Sequence, residues 1–310
     1  MNNKTQEGVP DLIAELYKAN LEVVQPSAGP PETVKRDPHL RLRRTLTPAS
    51  SISGLKKYKD AQFMIQGSTG KRIQLTFSVL GHAFHMDAYV WGASEEEAER
   101  RIVTLHGISP GVSRTRWHSL GERIGNTMPK TRFVALDWHS IDRTDEYQEE
   151  FLTMLPKHIL SVPSDEAAKE FIDLYPEERQ EWAREFFEQV RECCPRSINE
   201  GAAILRAVIQ DGLGWGVHGK SFILGVKSWS GAIGTAMLAE EARQDDSSFR
   251  KQIEAAIIMH PACFLEKDDY ARAVDSIPTL LCWAKDDVLI PYQLSSCFLV
   301  HEKVKLISYE

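Results

Sequence analysis

Ser228 stands where an apolar run, Phe222-Ile223-Leu224-Gly225-Val226, gives way after Lys227 to the small residues Ser230, Gly231 and Ala232 and then to a helical pattern. A serine on a sharp strand-to-helix turn presents its oxygen clear of the backbone, where it can attack a carbonyl carbon. The turn tolerates only small neighbours, so Ser230, Gly231 and Ala232 support this reading. A G-x-S-x-G pattern asks for Gly two positions earlier, and Val226 stands there. Ser230 is the alternative nucleophile, flanked by Ser228 and Ala232 at two positions on either side, but that register puts Lys227 inside a buried strand. Burial of the strand favours Ser228.

Such a serine needs an acid, an oxyanion site and a base. Asp286 and Asp287 follow the apolar run Thr279-Leu280-Leu281-Cys282-Trp283, and Pro291 lies four residues beyond Asp287. With Ser228 this segment resembles the α/β-hydrolase superfamily, in which a strand leads into W-G-x-x-D-x-x-x-P carrying the acid of a Ser…Asp…His triad. The resemblance puts Asp287 at the acid position, Asp286 as the fallback, and Ala284 where Gly is usual. It also matches Ser228-Trp229-Ser230-Gly231-Ala232-Ile233 to a Ser-Trp-Gly-Gly-Ala-Ile elbow with one Gly changed to Ser230. Backbone N–H groups must face the negative oxygen formed during acyl transfer. By resemblance, one comes from Trp229 and the other from the loop His106-Gly107-Ile108-Ser109-Pro110-Gly111, with Ile108 the first candidate and Ser109 the next. His106 and Gly107 border the substrate site, His106 by shaping its loop. The implied activity is hydrolysis of an ester or related acyl bond in a small molecule.

The superfamily's histidine follows the last strand. Here that strand is Val304 to Ser308, the sequence stops at Glu310, and none of the ten histidines occupies the slot. His301 falls before the last strand; His260, ending a neighbouring strand, is a weak substitute. A serine without a base is a poor nucleophile. The expectation is a chain that is C-terminally incomplete; the other reading is a non-catalytic ligand-binding or scaffold protein of the same fold.

One motif points elsewhere. Gly214-Trp215-Gly216-Val217-His218-Gly219-Lys220-Ser221 satisfies G-x-x-x-x-G-K-[ST]. A phosphate cradle needs a strand entering and a helix leaving. Here a helical pattern enters and a strand leaves, so no nucleotide cofactor is expected.

Around these residues the pattern predicts an α/β fold, a mostly parallel sheet flanked by helices. Lys71–Leu80 and Ala83–Trp91 read as a hairpin about Gly81. Ile102–Leu105, Arg132–Leu136, Phe222–Val226, Ala255–Met259, Thr279–Trp283 and Val304–Ser308 read as strands, mostly apolar runs suited to a sheet covered on both faces. Trp117–Gly125, Ile198–Leu213 and Ala232–Ala242 read as helices. Residues 62–310 form the main domain with a helical insertion over about 143–195. Residues 1–61 form an N-terminal extension with a short amphipathic helix over 11–24 and a basic, Ser/Pro-bearing segment that buries little.

The 310 residues carry a net charge of −7, which argues against general nucleic-acid binding. No apolar run is long enough to span a membrane. Five cysteines form no C-x-x-C pair, and Cys263, Cys282 and Cys297 lie in apolar stretches, which fits reduced thiols in the cytoplasm. Cys193-Cys194 reads as a helix-end packing pair. No cofactor or metal is expected.

Overall fold

The computed structural model describes residues 70–309 except 80, 108–109, 139–168, 170–171, 176, 218, 245–246, 263–264 and 288–289. The extension over 1–61, the first part of the insertion, Ile108, Ser109 and Cys263 lie outside the described residues.

The hairpin expected about Gly81 forms β1 (Lys71–Val79) and β2 (His82–Gly92), paired in antiparallel register from Lys71↔Val90 to Val79↔His82. Gly81 takes the turn with φ 87°, a conformation side-chain-bearing residues resist. Alternation is visible in β1, where Leu75, Phe77 and Val79 are buried and the residues between them exposed. Next come β3 (Arg100–Leu105), α1 (Pro110–Thr127) and β4 (Thr131–Leu136). After the insertion come α2 (Glu177–Ala207), β5 (Phe222–Lys227), α3 (Trp229–Arg243), β6 (Ile253–Met259), α4 (Lys267–Val274), β7 (Thr279–Ala284) and β8 (Val304–Tyr309).

The eight strands make one sheet in the order β1-β2-β4-β3-β5-β6-β7-β8. β2 pairs antiparallel with β4, and every pair from β4 through β8 is parallel. A parallel sheet must be covered on both faces, and alternate residues of each strand divide accordingly. Leu224, Val226, Ala256, Ile258, Leu281 and Trp283 join the core that includes residues of α2, α3 and α4. Ile223, Ala255, Ile257, Leu280 and Cys282 join the opposite core with Trp117, Leu120 and Ile124 of α1.

The insertion differs from expectation at its end. The helical insertion and the helix expected over Ile198–Leu213 are continuous, since α2 runs unbroken through Pro195. It closes in a π-helical turn, Val208–Gly212, where Leu213 N–H donates to the Val208 carbonyl and Trp215 N–H to that of Ile209. The helix read as Ile198–Leu213 is thus the last part of a 31-residue helix together with the π-helical turn that ends it. Its buried face, Ile198, Ala202, Ile204 and Leu205, supplies apolar packing that offsets the roughly 3 kcal/mol cost of an interior proline.

Candidate active site

β5 ends at Lys227 and α3 begins at Trp229, so the whole change of direction falls on Ser228. Its φ is 56° and ψ −122°, a conformation that costs a non-glycine residue roughly 1–3 kcal/mol. The surroundings hold it there. Ser228 N–H donates to the Met259 carbonyl at 3.0 Å, and the Ser228 carbonyl accepts from Ala262 N–H at 3.0 Å and Ala232 N–H at 3.2 Å. The turn is therefore clamped between the helix it starts and the segment leaving β6. That segment lies so close that a Cβ at Gly231 would sit 2.7 Å from the Pro261 Cα. The Ser228 side chain makes no capping bond to α3, so its hydroxyl is not consumed by the helix end.

The two departures from the small-residue pattern each have a structural answer. Val226 is fully buried, and its methyl groups occupy the space a Cβ on Gly234 would need, at 2.8 Å. The glycine missing before the serine is supplied six residues after it, in the second turn of α3. Ser230 Oγ donates to the Leu105 carbonyl at 2.6 Å and accepts from Lys227 N–H at 2.9 Å. Ser230 is 1% exposed, and this hydroxyl ties the end of β5 to the end of β3. Lys227 is buried in either register, so strand burial does not separate the two serines; the bonding of Ser230 does.

On the other side of β5, β3 runs into His106 and Gly107, both buried. His106 Nε2 accepts Trp138 N–H at 3.2 Å, which leaves Nδ1 as the protonated nitrogen donating to the Gly107 carbonyl at 2.7 Å. Asp137 Oδ1 lies 3.5 Å from that same Nε2, a proximity and not a hydrogen bond, since the nitrogen is already an acceptor. His106 thus fixes the loop beside Ser228 from inside.

The acid segment follows β7. Trp283, fully buried, donates its indole N–H to the Ile290 carbonyl at 2.8 Å, and Asp287 Oδ1 accepts Ile290 N–H at 2.9 Å. Trp283 and Asp287 thus bind the carbonyl and the N–H of the same residue, Ile290. Asp286 is exposed. The second oxygen of Asp287 lies 3.2 Å from His260 Nδ1.

His260, a weak substitute for the base in the sequence reading, is the histidine that the structure brings to Asp287. It follows β6 directly, has φ 27°, and its N–H donates to the Cys282 carbonyl at 2.7 Å. Lys227 pairs with Met259 and Met259 with Cys282, so Ser228 and His260 leave adjacent strands at the same level of the sheet. The usable signal was His260-Pro261 at the end of an apolar run next in order after the serine strand. Among the described residues no cluster of three His, Cys, Asp or Glu could hold a metal ion.

The phosphate-loop look-alike lies at the opposite end of β5. Glu95 receives the Trp215 indole N–H at 3.0 Å and lies 3.3 Å from Lys220 Nζ, while Ser221 Oγ bonds Glu254. The N–H groups of Trp215, Gly216 and Lys220 donate to backbone carbonyls. Carboxylates occupy the lysine and the serine, and the loop is spent on closing itself.

No family model and no curated protein matches the chain. Solved structures similar to it include one described as a predicted CIB-like hydrolase from Thermoplasma acidophilum, 13% identical over 78% of this chain and 87% of that one, with a TM-score of 0.46. An esterase of Pyrobaculum calidifontis is 12% identical over 88% of each chain with a TM-score of 0.45. The esterase domain of a Rhodothermus marinus protein is 10% identical over 77% of this chain and 87% of that one, with a TM-score of 0.43. The fold is judged from the strand order and the elbow themselves: one antiparallel strand pair leading into a parallel sheet, with a strained serine between the fifth strand and its helix. That is the architecture of the α/β-hydrolase fold.

Proposed function

We propose that the protein is a serine hydrolase that cleaves an ester or related acyl bond in a small molecule. The observation that carries this reading is the backbone of Ser228, a positive-φ serine between a parallel strand and a helix. Strain of this kind persists where the surroundings enforce it, and it clusters at reactive positions. Ser228 is the nucleophile and Asp287 the acid that orients the base.

The oxyanion is received by the N–H groups of Trp229 and Ile108. Trp229 opens a 15-residue helix, whose N-terminus favours negative charge. Ile108 is the candidate from the loop after β3, following His106 and Gly107 in the sequence. Gly107 borders the substrate, and His106 acts on it through the loop. Among the described residues no helix is long and apolar enough to cross a membrane. Cys282 is a buried thiol outside any disulfide, which suits a cytoplasmic setting.

The test is labelling by a fluorophosphonate followed by peptide mapping. Modification at Ser228, lost in Ser228→Ala, is the expected result. Absence of labelling at Ser228 in the intact protein would move the reading to a non-catalytic, ligand-binding member of the fold.

A further inference from the structure

We propose that His260 is the general base of this site, a role that rests on Ser228 being the nucleophile. Ser228, His260 and Asp287 emerge from the carboxyl ends of β5, β6 and β7, three strands that are neighbours in the sheet. The imidazole comes from the middle strand. Its Nδ1 is 3.2 Å from Asp287 Oδ2, with both side chains mostly buried. A carboxylate at Nδ1 fixes the proton there, leaves Nε2 as the basic nitrogen, and stabilises the imidazolium that forms when Nε2 takes a proton.

The backbone geometry serves the same end. His260 has φ 27°, outside the extended conformation of the strand it follows, so the chain turns where the ring is displayed. The segment that carries it is bonded to the elbow on both flanks, through the Met259 carbonyl to Ser228 N–H and through Ala262 N–H to the Ser228 carbonyl. The backbones of Ser228 and His260 are therefore held at neighbouring positions by these hydrogen bonds. The Oγ to Nε2 hydrogen bond is not formed in this structure; the backbone places the two residues side by side, and the pair must close for the proton to transfer.

The proton balance is complete with these residues. Ser228 Oγ bonds the acyl carbon, its proton passes to His260 Nε2, and the carbonyl electron pair moves onto oxygen. As the tetrahedral centre collapses the leaving group departs with that proton. Water then attacks the acyl-serine, gives a proton to His260, and the acid leaves as Ser228 Oγ is reprotonated. Asp287 stays ionised throughout and acts as a positioning residue.

The experiment measures the second-order rate of fluorophosphonate labelling in the full chain, with Ser228→Ala as control. Given Ser228 labelling in the parent protein, His260→Gln should slow it at least about 100-fold, the span typical of a lost general base. His260→Gly suits the positive φ and leaves a space for exogenous imidazole. Its labelling should be restored in a saturable way by imidazole and left unchanged by an equal concentration of a non-basic heterocycle. A purely structural His260 would give no such rescue. Labelling of both folded variants at the parent rate, or a slow variant that imidazole does not rescue, overturns the assignment of His260 and leaves the Ser228 reading intact. Loss of both readings together would show as a parent protein that does not label at Ser228.

Discussion

The two ends of β5 carry the two sequence motifs that promise chemistry, and they behave in opposite ways. At the entering end, Gly214 to Ser221 matches a phosphate loop letter for letter, but its lysine meets Glu95 and its serine meets Glu254. At the leaving end the elbow matches imperfectly, with Val226 and Ser230 where glycine is usual, yet its backbone has the strained serine the chemistry needs. The difference is direction. Helix-to-strand closes N–H groups onto carbonyls, whereas strand-to-helix aims a helix N-terminus and a side chain at the open edge of the sheet. A motif is therefore worth what its flanking elements do with it.

The largest effect that could break this contrast is at Ser228. Ser228→Gly should abolish fluorophosphonate labelling, a loss of more than about 1,000-fold. The same change should raise stability by about 1 kcal/mol in urea unfolding, because glycine accepts this φ and ψ without strain. Loss of stability would mean that the turn is not strained.

Gly231→Val comes next. The added carbons collide with the Pro261 backbone, so the elbow and the His260 segment must separate. Destabilisation of about 2–3 kcal/mol with loss of labelling is expected, read from urea midpoints and labelling rates. Ser230→Ala leaves Lys227 N–H and the Leu105 carbonyl without their shared hydroxyl and should cost about 1–3 kcal/mol. Label should still map to Ser228; label lost from Ser228 with the fold intact would favour Ser230.

The entering loop should answer only in stability. Burial pushes the Glu95 pKa up, but hydrogen bonds from Trp215 and Arg101, the charge of Arg101 and the bond from Lys220 more than offset it, and the net direction is below its ordinary 4.5. A depressed carboxylate stabilises the fold above its unfolded pKa and loses that contribution as pH falls through the folded value. Glu95→Gln should thus melt lower than the parent at pH 7, by no more than about 1 kcal/mol given partial solvation, with the gap closing in acid below pH 4.5. Smallest of all, Lys220→Ala should leave labelling unchanged and cost about 0.5 kcal/mol. ATP should not protect Lys220 from acylation in the parent; protection would reopen the phosphate-loop reading.

Much of this was legible in the residues. Apolar runs at β3 to β7 gave strands because a parallel sheet buries both faces, and Gly81 marked the hairpin because glycine accepts the positive φ of its turn. The insertion and the helix expected from Ile198 were read as separate, whereas α2 is continuous through Pro195, a residue that would end an isolated helix. Val226 looked like a defect because its partner, Gly234, is eight residues away and meets it only once α3 folds over β5. The proximity of His260 to Asp287 was not legible for a similar reason: it is a fact of strand order between residues 27 positions apart.

The sequence by itself determined which residues could react and which elements would carry them, because hydrophobic periodicity and turn chemistry are local. Only the tertiary structure decided which serine is consumed by a hydrogen bond, which aspartate faces inward, and which histidine meets it. Those choices depend on strand order and register, contacts between distant segments that no local pattern encodes.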